Sequence, residues 1–315
     1  MQLRFIASLC WLGMIAVACN GGTGGSGGGG AATPAPGGSP SGAAQPGPAK
    51  GSIKVTNTGS DTMVNIAQAW AEEYSKVKPA VSVQVNGGGS SVGISALEGG
   101  TVDIANSSRP IKPTEKEKVR AKHGHEPVEN VTGFDALAIY VHKDNPLEQI
   151  SLEELAEIFG DGAKFTKWSD LGVQNKPCGS DEIIRVSRQS SSGTYVYFRE
   201  AILGEKREFK AGSRDMNGSQ DVVTLVGRTP CAIGYSGMGY KTPEVKWLKV
   251  SKKKGEKGVE PSIPTVLDKS YPIARPLYMY TAGKPSADIQ AYLDWIRTDA
   301  GQAVVKEMGY VPLPK

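Results

Sequence analysis

Three joints in this chain share one design, and they restrict the fold more than any other feature of the sequence. At each, a strand-like alternation ends in glycine and small hydroxyl residues, and a helical period begins at once. The joints are Gly59–Thr62, Gly87–Ser91 and Arg188–Thr194. "SIKVTN" (52–57) alternates before the first, and Met63, Ile66, Ala67, Trp70 and Tyr74 recur behind it with helical spacing. A strand over 81–85 and a short helix over 92–97 flank the second, with Gly99 and Gly100 as the helix stop. "EIIRVS" (182–187) and a helix over 195–203 flank the third. Strands alternating with helices predict a parallel or mixed α/β sheet. In open α/β sheets, ligands bind at the carboxyl ends of the strands.

The residue types at these joints suit an anion. A helix N-terminus presents unpaired backbone N–H groups and partial positive charge, and three such ends brought together would cage a small anion. Serine and threonine add hydroxyl donors, and glycine lets the backbone approach closely. Arg188 supplies one full countercharge in a fork that matches an oxyanion. Any single joint reads equally well as an ordinary helix cap. The anion reading rests on three joints repeating the pattern and on the arginine in one of them.

The remaining elements fit the same class. "VDIANSS" (102–108) reads as a strand that ends in a turn, and 114–122 as a charged surface helix. Ser151 and Glu154 form a capping box for a helix that runs to Phe159. Helix is expected over 219–227, 287–297 and 300–308, and a short strand over 231–237. Two strands, Phe134–His142 and Ala274–Thr281, are long and unusually apolar.

The ends and the charge set further bounds. Residues 5–18 are apolar but too short for a comfortable membrane span, and small residues lead into Cys19. This predicts a bacterial lipoprotein signal with Cys19 as the lipidated residue, against an ordinary signal peptide with an incidental cysteine. Residues 20–50 are Gly, Pro, Ser and Ala with almost no charge, a disordered tether with a root-mean-square span of roughly 30 Å. Cys10 leaves with the signal, so Cys178 and Cys231 remain. They either form a disulfide in an export compartment or stay as two buried thiols. Their separation, with no His pair nearby, argues against zinc, and no motif asks for a cofactor. The formal net charge is +4, and the one basic run, Lys252–Lys254, lies beside Glu256 and Glu260. That is a solvated loop, so no nucleic-acid partner is expected. Residues 51–315 are long enough for two lobes.

Six motifs in order carry a resemblance: "GSDTM", "GGGSSVGISALEGGTVDIANSSRPIK", "LEELAEIFG", "KWSDLG", "VSRQSSSGTYVYF" and "AIGYSGMGY". With them the chain resembles the PstS family, the phosphate-binding lipoproteins of bacterial phosphate ABC transporters, over nearly all of 51–315. The resemblance implies a two-lobed type II periplasmic binding protein fold of α/β class with two crossover hinge strands. Phe134–His142 and Ala274–Thr281 are the candidates for those crossovers. Lobe 1 would comprise 51–135 plus 275–315, and lobe 2 would comprise 136–274. It also implies a binding protein and not an enzyme, one that takes inorganic phosphate in the interlobe cleft and delivers it to permease subunits. Such a protein is exported, lipid-anchored through Cys19 in the cell envelope, and expected to be a monomer.

Carried over by motif, Thr62, Ser90 with Ser91 beside it, Arg188, Ser192, Gly193 and Thr194 would hold the phosphate. One position departs from the family. Where relatives end a strand in Ser-Asp and use that Asp to accept the phosphate proton, this chain reads Ser107-Ser108-Arg109. Ser108 can accept a proton without carrying charge. Asp61 is the candidate to take over the acceptor role, with Ser60 next to it, and Arg109 is a candidate second positive group. The plain alternatives are a cap carboxylate for Asp61 and a surface arginine ahead of Pro110 for Arg109.

Other functions would also use these motifs. A receptor for sulfate, molybdate or another tetrahedral oxyanion would use the same cage. An adhesin or signalling receptor would keep the fold without transport. Gly89-Ser90-Ser91-Val92-Gly93 fits the G-x-S-x-G elbow of a serine hydrolase with Ser91 as nucleophile. A triad in that order needs a late histidine, and His123, His125 and His142 are all mid-chain. No nucleotide P-loop motif is present.

Overall fold

The structure, a computed structural model, describes residues 53–204 and 206–314. The expected signal, Cys19 and the tether lie outside the described residues. The chain begins with β1 (Ile53–Gly59), a 3-10 turn (Asp61–Met63) and α1 (Val64–Val77). Then come β2 (Val81–Asn86), α2 (Ser90–Gly99), β3 (Ile104–Ser107) and α3 (Pro113–His123). β4 (Val128–His142) is the longest strand, followed by β5 (Gln149–Ser151) and α4 (Leu152–Phe159). β6 (Ile184–Arg188), α5 (Gly193–Phe198), β7 (Arg214–Met216), α6 (Ser219–Arg228) and β8 (Ala232–Gly237) follow. The last elements are β9 (Val245–Trp247), β10 (Lys249–Ser251), α7 (Ile263–Leu267), β11 (Ala274–Thr281), α8 (Ala287–Ile296) and α9 (Asp299–Glu307).

The main sheet runs β2-β1-β3-β11-β4-β8-β6-β7, with β9 on the outer end of β4, and β5 pairs separately with β10. It is mixed, as the alternation of elements predicts. β1 is parallel to β2 and β3, and β6 is parallel to β7 and β8. β11 and β4 are antiparallel to each other and to their outer neighbours β3 and β8. β4 carries this arrangement. Val128–Ala136 pairs with β11, and Leu137–Val141 pairs with β8. One strand thus passes through both halves of a curled sheet. β11 begins at the junction, where Leu137 N donates to Ile273 O at 2.9 Å.

Sequence pattern explains the packing. In α1 the residues Ile66, Ala67, Trp70, Ala71 and Tyr74 are all buried, one face at helical spacing. Trp70 Nε1 donates to Gly301 O at 2.8 Å, which pins α1 to the start of α9. The Ser151–Glu154 capping box forms as expected, with Glu154 N donating to Ser151 Oγ at 3.1 Å. A disulfide joins Cys178 to Cys231, Cα to Cα 4.5 Å, and ties the loop before β6 to the start of β8.

Some boundaries differ from the sequence reading. The strand expected from Phe134 starts at Val128, because its first residues mix polar with apolar side chains and so lack the continuous apolar run. The helix expected over 195–203 is α5 followed by a π-helical turn, Arg199–Leu203. β5, β7, β9 and β10, at three residues each, and α7, at five, are too short for periodicity to mark. Among the described residues no helix is long and apolar enough to cross a membrane.

Candidate functional site

The three joints meet at one place. Ser60 Oγ donates to Ser108 Oγ at 2.9 Å, and Ser108 N donates to Ser90 Oγ at 3.1 Å. Thr62 Oγ1 and Thr194 Oγ1 lie 2.7 Å apart. Ser60, Thr62, Ser90, Ser108, Ser192 and Thr194 are all buried, so each hydroxyl must find a partner here. Thr62 belongs to the half of the chain built on β1 to β3, and Thr194 to the half built on β6 to β8. The hydroxyl pair therefore bridges the two.

Glycine makes the contact close enough. A Cβ on Gly193 would stand 2.2 Å from Ser90 Oγ and 2.9 Å from Ser108 Oγ, so no larger residue fits while the halves touch. Gly89 has φ of 99°, and a Cβ there would stand 2.6 Å from the Ser191 carbonyl oxygen. Ser191 ties the same loops twice. Its carbonyl accepts from Ser91 N at 3.1 Å, and its Oγ donates to Gly88 O at 3.1 Å. Ser192 caps α5 and accepts from Thr194 N at 3.1 Å, which leaves its own hydroxyl proton free to donate.

Arg188 ends β6 fully buried. Nη1 donates to Ser219 Oγ at 2.8 Å, and Nη2 donates to Asp61 Oδ2 and to Asn217 O, each at 2.9 Å. Nε is buried without a partner. Burial pulls the pKa of Arg188 down and the Asp61 carboxylate opposes this, so the guanidinium stays charged at neutral pH. Asp61 does not cap its own helix. Its Oδ1 accepts from Gly88 N at 2.8 Å, so the carboxylate braces the second joint with one oxygen and holds Arg188 with the other.

Two sequence candidates lie aside from this cluster. Arg109 is 2% exposed, so it is not a surface arginine, and Glu115 engages it through both carboxylate oxygens at 2.8 and 2.6 Å. Burial raises the Glu115 pKa, but Arg109 and the Lys112 N–H outweigh it and hold the carboxyl below its ordinary value. Ser91 accepts from Arg109 Nη2 at 3.0 Å and belongs to this ion pair. It has no histidine partner. His123 bonds the Leu97 and Glu98 carbonyls, and His142 lies by Asp144. The hydrolase constellation is therefore not assembled.

Sequence reasoning missed three residues at the centre. Arg275 of β11 donates through Nη2 to Thr194 Oγ1 at 2.9 Å and reaches Thr62 Oγ1 at 3.4 Å. Asp135 of β4, opposite Arg275 in the strand register, accepts from its Nη2 at 2.9 Å and its Nε at 3.2 Å. Burial pushes the Asp135 carboxyl up, while Arg275 and the Met238 N–H pull it down. Ser219, the first residue of α6, accepts from Arg188 and lies 3.4 Å from Thr62 Oγ1. A signal existed for the first two. Each is a lone charge inside an otherwise apolar strand, "GFDALAIYVH" and "ARPLYMYT", and a buried charge requires a partner or a function. Tyr240 and Tyr310 brace the floor by donating to the Asp61 and Thr62 carbonyls. The result is a ring of buried hydroxyl donors between two guanidinium groups, chemistry suited to holding an oxyanion by charge-assisted hydrogen bonds.

Comparison with known proteins shows the family. A family model described as a PBP superfamily domain matches residues 42–300. The chain is 36% identical over 270 residues to the phosphate-binding protein PstS of Pseudomonas aeruginosa, covering 82% of this chain and 83% of the relative. It is 37% identical over 275 residues to the protein SphX of Synechococcus elongatus, covering 82% and 77%. Among solved structures it is similar to a phosphate ABC transporter substrate-binding protein from Clostridium perfringens with bound phosphate. That match has a TM-score of 0.73 and 29% identity, over 83% of this chain and 100% of the other.

Proposed function

The chain belongs to the PBP superfamily and, within it, to the PstS phosphate-binding proteins, and from that premise we propose that it binds inorganic phosphate in a cleft between two lobes and delivers it to the permease of an ABC transporter. The observation that carries this reading is the convergence of the three joints. Hydroxyls of Thr62, Ser90, Ser108 and Thr194 meet beside a fully buried Arg188, with contacts that span both halves of the sheet. Thr62, Ser90, Ser108, Ser192 and Thr194 act as hydroxyl donors, Gly193 gives the backbone room, and Arg188 carries the charge. With Ser108 at the position of the family carboxylate, Asp61 accepts the proton of a protonated phosphate. The lobes are 51–135 with 275–315, and 136–274, and they close about the junction of β4 and β11 as a hinge. The closed, loaded form is what the permease recognises. The protein works as a binding protein, not as an enzyme, on the outer side of a membrane and anchored there by a lipid on Cys19.

Equilibrium dialysis against labelled phosphate tests the reading, with protein refolded from denaturant to remove carried-over ligand. Saturable binding of one phosphate per chain is expected. Retention of sulfate or molybdate in place of phosphate would move the protein to a different oxyanion.

A further inference from the structure

Arg275 carries an assignment of its own. It is 1% exposed, it comes from the strand at the hinge, and its partner Asp135 lies opposite it in register. The pair does not exhaust it. Nη2 also donates to the Thr194 hydroxyl and reaches that of Thr62, and Nη1 is buried with no partner at all. A buried N–H without a partner is costly, so a structural ion pair alone leaves this guanidinium unexplained.

We propose that Arg275 is a positioning residue of the anion site, a second guanidinium that sets Thr62 and Thr194 as donors and adds its charge to that of Arg188. This deepens the phosphate reading and rests on it. A hydroxyl that accepts from a guanidinium keeps its own proton to donate. Thr194 accepts from Arg275, and Thr62 touches Arg275, Thr194 and Ser219, while Ser219 accepts from Arg188. The hydroxyls thus form one chain with a guanidinium at each end. Along it, donors are aimed inward and polarised by charge. Arg275 is also fixed before closure, because Asp135 lies next to it in the sheet and not across the cleft. A ligand bound on that half meets Thr62 beside a fixed guanidinium, and Thr194 comes under the same guanidinium as the halves close.

The test uses Arg275→Lys and the double variant Arg275→Met with Asp135→Asn. The double variant removes both charges together, so no buried charge is left alone, and asparagine keeps an acceptor for the Met238 N–H. Each protein is refolded free of ligand. Its phosphate affinity is measured by calorimetry and its melting temperature without phosphate. Loss of a charge-assisted donor predicts affinity lower by on the order of 10- to 100-fold in the double variant. Arg275→Lys, which keeps charge but cannot serve Asp135 and two hydroxyls as a fork, should fall in between. A melting temperature that drops while affinity stays at the wild-type value in either variant would make Arg275 purely structural and overturn the proposal. If the double variant does not fold, Arg275→Lys decides alone, and unchanged affinity overturns it. If the wild type binds sulfate or molybdate but not phosphate, the phosphate reading fails, and the same variants judge Arg275 on that anion. A wild type that binds none of the three overturns both.

Discussion

Arg188 and Arg109 look alike in the sequence. Each follows serine, each lies at the end of a strand, and each precedes a helix within a serine-rich stretch. Both are buried, and both face a carboxylate. They differ in where the carboxylate comes from. Glu115 lies six residues from Arg109, so that pair closes a local turn and occupies both terminal nitrogens. Asp61 lies 127 residues from Arg188, in the other half of the molecule. A local pair fixes a loop. A distant pair between two halves holds those halves to each other. The role of a buried arginine is thus decided by its partner's address, which motif spacing does not reveal.

The comparison can be broken by exchanging the phenotypes. Arg188→Ala should lower phosphate affinity at least about 100-fold, since a charged donor and its share of the hydroxyl chain go together. Calorimetry on the refolded variant checks this, and unchanged affinity would remove Arg188 from the site. Arg109→Gln should do the opposite. It should cost about 2 kcal/mol of stability in denaturant unfolding, by leaving Glu115 half-buried without its partner, and keep phosphate affinity within about threefold. A large loss of affinity there would erase the distinction drawn between the two arginines.

Asp61→Asn sharpens the comparison by removing the charge while keeping an acceptor for Gly88 N. We expect phosphate affinity to fall about 10-fold, most where the dianion HPO4 dominates and its one proton needs a charged acceptor. Tighter binding instead would mean that Asp61 competes with the anion for Arg188. The smallest effect concerns acid. Because Glu115 is held below its ordinary value of 4.5, its pairing stabilises the fold fully above that pH. The contribution is lost as pH falls through the lower folded value. The stability gap between wild type and Arg109→Gln should therefore be constant near neutrality and narrow below that pH. A gap that widens in acid would contradict the assignment.

Much of this was legible in the sequence because strand and helix periods are local. The three joints, the Ser151–Glu154 cap and the strand Ala274–Thr281 all appear where spacing places them. The convergence of the joints was suggested by their shared pattern and by the family resemblance. What the sequence did not yield were contacts made by register and by tertiary choice. Arg275 meets Asp135 only because β11 pairs with β4 in one register. Ser219 enters the site only because α6 starts beside Arg188. Arg109 and Ser91 were drawn toward the anion by motif, whereas Glu115, in the first turn of α3, holds Arg109, and Arg109 in turn holds Ser91.

The most direct test of the central claim is calorimetric titration of the refolded, ligand-free protein with phosphate and then with sulfate. The account predicts saturable heat at one phosphate per chain and much weaker sulfate binding, with Asp61 reading the proton in place of the family carboxylate. A folded protein that gives no heat with phosphate, or binds sulfate just as tightly, would contradict it.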